Sequence, residues 1–180
     1  MPFDLQPTLH GPYVTLRPLH ASDFSALYAV AADPLIWEQH PEPDRYTESK
    51  FTVYFREGLA SGGALLAIDA ATGQVIGSSR YHGYDGAERE IEIGWTFLAR
   101  SHWGGRYNGA MKQLMLRHAF NDVDTVVFLI GQENRRSQRA VEKIGAVRDG
   151  TRLDGHGRER VAYKITADAF AKIDPSQSSR

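Results

Sequence analysis

The sequence has no cysteine. That excludes disulfides, a thiolate nucleophile and cysteine-ligated zinc, and is compatible with a reducing compartment. Long apolar runs are missing as well. No stretch approaches the roughly 20 apolar residues of a membrane span, and the opening MPFDLQPTLHGPYV has no basic flank leading into an apolar run. The expectation is a cytoplasmic protein with no membrane partner. Nor is there an excess of one charge: 21 Lys and Arg stand against 22 Asp and Glu, a formal net charge of −1. The general attraction to phosphate backbone that marks a nucleic-acid binder is therefore absent, and nucleic acid is not expected as a partner. The histidines at positions 10, 20, 40, 82, 102, 118 and 156 show no H-x-x-x-H spacing, so no metal is expected. Gly77-Ser78-Ser79-Arg80-Tyr81 fails at the final glycine of G-x-S-x-G, which removes the nucleophile of an α/β-hydrolase.

What is present suits one mixed α/β domain over residues 1–180, with a core at about 13–165 and a flexible tail at about 174–180. Tyr13 to Arg17 reads as a strand limited by Pro18. Ser22 or Asp23 then caps a helix with Phe24, Leu27, Tyr28 and Ala31 at helical spacing, stopped by Asp33-Pro34. A Pro-containing loop carrying Trp37 and His40 leads to a second amphipathic helix marked by Phe51, Tyr54, Phe55 and Leu59. Ala64 to Ile68, Gln74 to His82 and Glu90 to Leu98 read as strands of an antiparallel meander. In the last of them Ile91, Ile93, Trp95 and Phe97 are expected on one face, Glu90, Glu92, Gly94 and Thr96 on the other. A helix through Met111, Leu114, Met115 and Ala119 follows, then a strand at Thr125 to Ile130 and a short helix from Ser137 stopped by Gly145. Ala146 to Leu153 and Arg158 to Ile165 close the chain as a hairpin. The expected order is β-α-α-β-β-β-α-β-α-β-β.

The most informative segment runs from Phe97-Leu98 through Trp103-Gly104-Gly105-Arg106-Tyr107-Asn108, out of a strand, across a glycine turn and into a helix. Backbone N–H groups at a helix start lack partners within the helix and carry its positive end, so such a turn can cradle an anion. A plain strand-to-helix turn has the same sequence signature. Two phosphate fingerprints fail here. G-x-G-x-x-G meets Arg106 where it needs glycine, and G-x-x-x-x-G-K-[ST] meets Ala110 and Met111 after Gly109.

Taken with Leu16-Arg17-Pro18, Gln74-Val75-Ile76-Gly77, Glu92-Ile93-Gly94-Trp95, Asn134-Arg135-Arg136-Ser137 and Val141-Glu142-Lys143-Ile144-Gly145-Ala146, the segment resembles motif A and the following motifs of the GNAT acetyltransferases. The likeness is to the branch of ribosomal-protein alanine N-acetyltransferases and related amine and amino-acid acetyltransferases, and it spans nearly all of residues 13–165. The sequence departs from that pattern with Arg106 where motif A has Gly, Asn108 where it has Gly or Ala, and Ala110 where Glu is frequent. Asn108 suits a helix N-cap. The Arg106 guanidinium is suited to a phosphate, but a positive φ would be costly for it.

The resemblance implies a mostly antiparallel GNAT sheet with a splayed cleft, acetyl-coenzyme A as co-substrate, no metal, and transfer of acetyl to a primary amine of a small molecule or protein N-terminus. It leaves a homodimer open. It places the pyrophosphate on the N–H groups of Trp103, Gly104, Gly105, Arg106, Tyr107 and Asn108, and the pantetheine arm beside Phe97-Leu98. Asn134 would then hold the pantetheine amide, and Ser137 would stand near the sulfur as proton donor. Equally, Asn134 would serve as a helix cap and Ser137 face solvent. Acyl transfer to an amine needs a base. Glu92, on the polar strand face beside Glu88 and Glu90, is the first candidate, and His82 the second. With no cysteine and no hydrolase serine, direct attack in a ternary complex is expected over an acyl-enzyme. A non-catalytic acyl-coenzyme A binding module is the alternative.

Overall fold

The computed structural model describes residues 2–174 and 176. Its strands are β1 (Leu9–His10), β2 (Val14–Pro18), β3 (Ala64–Asp69), β4 (Val75–Asp85), β5 (Glu90–Leu98), β6 (Thr125–Ile130), β7 (Val147–Leu153) and β8 (Glu159–Thr166). Its helices are α1 (Phe24–Ala31), α2 (Glu48–Ser61), α3 (Tyr107–Ala119), α4 (Arg135–Lys143) and α5 (Ala167–Ile173). The strands form one open sheet in the order β1-β2-β3-β4-β5-β6-β8-β7, antiparallel throughout except where β5 meets β6. This is the mixed, mostly antiparallel sheet that the sequence led us to expect.

Period-two alternation in β3 sorts the core into two layers. Leu65 and Ala67 join Met111, Met115, Leu116 and Ala119 of α3, Val141 of α4 and Phe170 of α5 on one face. Ala64 and Leu66 join Leu27 and Ala31 of α1 and Phe51, Tyr54 and Phe55 of α2 on the other. The helices present these residues at three- and four-residue spacing, so each buries one stripe. Gly62, in the left-handed region at φ 67°, ends α2 where a side chain would be strained. Gly145, at φ 98°, follows α4 in the same way.

Three readings change. The expected alternation of β5 does not persist: Ile91 and Ile93 pack on the α3 face, whereas Phe97 packs against α1 and α2. The cause is a bulge, because Arg80 of β4 lies opposite Gly94 but Ser78 lies opposite Phe97, leaving one extra residue on β5. Asp23 occupies the N-cap position of α1 without capping it; its carboxylate instead takes two hydrogen bonds from Arg17 and one from the His20 N–H. Finally, Asp174 is not part of a loose tail. It is 1% exposed and ion-paired with Arg117 at 2.6 Å, while residues 175 and 177–180 of the expected tail lie outside the described residues. No helix among the described residues is long and apolar enough to cross a membrane.

Candidate active site

Parallel pairing between β5 and β6 covers only Glu90 to Glu92 against Thr125 to Val127. Beyond it, β5 stays with β4 and β6 stays with β8, so the sheet parts and a cleft of about 1820 Å³ opens. The β5 bulge lies in this wedge. Trp95 sits at φ 52°, an uncommon conformation for a bulky residue. It is held there from both sides: the Tyr54 hydroxyl donates to its carbonyl at 2.7 Å, and the Arg80 guanidinium lies 4.4 Å over its ring. On the opposite face Lys112 of α3 donates to Thr96 Oγ1 at 2.6 Å, and Ser79 shares a hydrogen bond with the same hydroxyl at 2.8 Å.

The open end of the wedge leads into the glycine turn. A short 3-10 turn at Arg100–His102 is tied to the scaffold by Arg100 with Asp33 and by His102 with Asp69. Gly104 then takes φ 69°, and α3 starts at Tyr107. The first helical bond is Ala110 N–H to the Arg106 carbonyl, and among the described residues the N–H groups of Gly104 through Gly109 have no partner. A side chain at Gly104 or Gly105 would meet nothing within 4 Å. Such an arrangement is suited to an anion.

Two expectations for this turn are corrected. Trp103 cannot contribute its N–H, which is donated to the Arg100 carbonyl, although its ring lines the cleft. Asn108 is not the cap, since it lies inside the first turn; Arg106 holds the cap position at φ −88°. Arg106 therefore carries no backbone strain, and its guanidinium rests on Tyr13, 2.9 Å from the hydroxyl and 4.7 Å over the ring.

Among the three glutamates of the β5 stripe, geometry separates one. Glu90 is ion-paired with Arg152 at 2.6 Å, and Glu88 lies exposed in the β4–β5 turn. Glu92 lines the cleft without a hydrogen bond or ion pair among the described residues. Burial, with the nearby charge of Asp154, lifts its carboxyl to about 7. His82, directly across on β4, is exposed against the Trp95 ring at 5.1 Å, and partial burial with the Arg80 charge lowers its pKa. On α4, Asn134 caps the helix, its Oδ1 accepting from Ser137 N–H at 3.2 Å. Asn134 and Ser137 nevertheless both line the cleft, as do Phe97 and Leu98. Trp37 is a core anchor that donates to the Ala31 carbonyl at 2.8 Å. His40 bonds Glu42 N–H, and burial with the charge of Arg45 drives its pKa down to about 3.

Sequence reading missed Tyr54, Arg80 and Lys112. The sequence marks Tyr54 only as part of the apolar stripe of the second helix. Arg80 and Lys112 were polar residues at inward positions of a strand and a helix, and that inward phase was the available signal. Lys112 is buried, and desolvation lowers its pKa to about 7. Among the described residues, no group of three or more His, Asp or Glu is placed to hold a metal.

A split sheet with a glycine turn at its open end defines an acyltransferase-type fold, and comparison with solved structures agrees. The chain resembles a GCN5-related N-acetyltransferase from Brucella melitensis with a TM-score of 0.80 at 21% identity, covering 92% of this chain and 80% of that one. It also resembles an acetyltransferase from Agrobacterium tumefaciens, with a TM-score of 0.70 at 26% identity over 88% and 94% of the two chains. A third is RimJ of Mycobacterium smegmatis, solved in complex with CoA-disulfide, with a TM-score of 0.64 at 22% identity over 86% and 82%. A search of curated proteins finds no match. Residues 14–147 match the Acetyltransferase (GNAT) domain family, and the chain belongs to that family.

Proposed function

We propose that the chain, acting as one GNAT domain, transfers an acetyl group from acetyl-coenzyme A to a primary amine by direct attack in a ternary complex. One observation carries the reading: β5 bears a half-buried carboxyl at Glu92, unpaired among the described residues, where it leaves β6, and then runs into a turn whose six N–H groups have no partner among those residues. The residues fit the co-substrate. The N–H groups from Gly104 to Gly109 would hold its pyrophosphate, while Phe97, Leu98 and Asn134 would line the pantetheine arm. When bound, acetyl-coenzyme A supplies an activated carbonyl. The Glu92 carboxylate takes a proton from the incoming amine, through water, and is matched to that task because its pKa lies near neutrality. Ser137, whose hydroxyl has no partner among the described residues, returns a proton to the departing thiolate.

The acceptor is a small-molecule amine or a protein N-terminus, and the setting is the cytoplasm. Absence of cysteine supports direct transfer over an acyl-enzyme. Initial rates measured against both substrates should give intersecting lines. Parallel lines, or labelled acetyl retained on the protein after gel filtration, would contradict direct transfer.

A further inference from the structure

Arg80 is 5% exposed and lines the cleft, yet no carboxylate lies within 4.0 Å of it among the described residues. Its Nε is buried without a partner, and its hydrogen bond to the Tyr54 carbonyl is long, at 3.5 Å. Its surroundings are aromatic: Trp95 at 4.4 Å and Tyr54 at 5.7 Å. The neighbouring Arg45 also has an unpartnered buried Nε but differs in having a carboxylate, Glu42, paired with it at 2.7 Å. A desolvated guanidinium with free donors is costly to a fold unless something pairs with it. Aromatic faces offset part of that cost and leave the planar donor edge open.

Glu92 and Glu57 act on Arg80 only through their charge at a distance, since neither makes a hydrogen bond or ion pair with it among the described residues. The two side chains share a sheet face as diagonal neighbours, Arg80 being opposite Gly94 and Glu92 opposite His82. Such diagonal positions lie about 7–8 Å apart, a span that one small molecule bridges. Gly94 stands between them, and a Cβ there would approach Glu92 Oε1 to 3.3 Å, so its absence keeps this floor open.

We propose that Arg80 binds a carboxylate of the acceptor, making the substrate an amino acid whose amine is presented towards Glu92. This rests on the acetyl-transfer reading above and narrows it, disfavouring polyamines, which bring a second cation, and long peptide N-termini, whose carboxylate is remote. The Arg80 fork would receive the carboxylate bidentately, and the Trp95 ring would wall the site.

The test compares L-amino acids with their matching C-terminal amides, and with spermidine, as acceptors of acetyl from acetyl-coenzyme A. The acids should exceed the amides in kcat/KM by about tenfold or more, because a site built around a buried donor rejects an analogue that leaves it unpaired. Arg80→Gln should bring that ratio to about one, chiefly through KM for the acid, and Arg80→Lys should restore part of it. Equal use of amides or spermidine by the parent protein, or an unchanged ratio in Arg80→Gln, would overturn the assignment. If no amine is acetylated, the transfer reading fails, and the carboxylate site is judged by calorimetry on the coenzyme A complex. An N-acetylated amino acid should then bind more tightly than its amide in the parent and not in Arg80→Gln; equal binding of the two by the parent would overturn the site.

Discussion

In the proposed reaction Glu92 is the base, and its environment would set the pH at which it acts. Burial raises its pKa to about 7, so the basic form accumulates as pH rises through neutrality. Rates in the parent should climb through about pH 7, and Glu92→Gln should lose that limb along with at least about tenfold of the rate. What remains should follow deprotonation of the amine itself. Folding provides the control. A carboxylate with a raised folded-state pKa contributes less stability as pH rises from its ordinary 4.5 to about 7. Glu92→Gln should therefore be no less stable than the parent above pH 7 in thermal unfolding. An undiminished rate would move the base to His82. Glu92 was legible as one of a stripe of three glutamates, but choosing among them required knowing that Arg152 takes Glu90, a contact from a strand distant in sequence. Arg80 and Lys112 were illegible for the same reason: inward phase marks a polar residue as buried, not what it faces.

At the scale of elements, the turn and the bulge differ in how they are written. Gly104 and Gly105 announce a backbone that approaches something closely, and the turn is where they placed it. The bulge has no local signature, because a tryptophan at positive φ is held by Tyr54 and Arg80, both outside β5. Alternation read along β5 alone therefore put Phe97 on the wrong face. Gly105 offers a clean probe of the turn, since its φ lies outside the left-handed region and a side chain would meet nothing in the free protein. Gly105→Val should leave thermal stability nearly unchanged while lowering coenzyme A affinity by about tenfold or more, through exclusion of the phosphates from the N–H groups. Ala87→Val, exposed in the β4–β5 turn and outside the cleft lining, should change neither. Equal loss of affinity in both variants would remove the turn as the site.

Across the whole molecule, the order of most elements followed from hydrophobic period, but the closing piece did not. Helix α5 has seven residues, too few to show a period, and depends on tertiary contact. Part of that contact is Asp174, buried at the end of α5 and bonded twice by Arg117 of α3, which lowers its pKa to about 2. A depressed carboxylate pKa contributes stability that is present above about 3.8 and lost as pH falls through about 2. Asp174→Asn should cost about 2 kcal/mol at neutral pH, a fall of about 5 °C in unfolding midpoint, and should flatten the acid limb of stability; an unaltered midpoint would show that α5 docks without this pair.

The split sheet, the turn and Glu92 are the grounds for the proposed acetyl transfer to an amine, and turnover tests that proposal most directly. Free thiol release from acetyl-coenzyme A should be followed across a panel of amines, with N-acetylated product identified by mass spectrometry. The account predicts amine-dependent thiol release matched one for one by N-acetylated product. Tight coenzyme A binding with no amine-dependent release would contradict it and leave a binding module in its place.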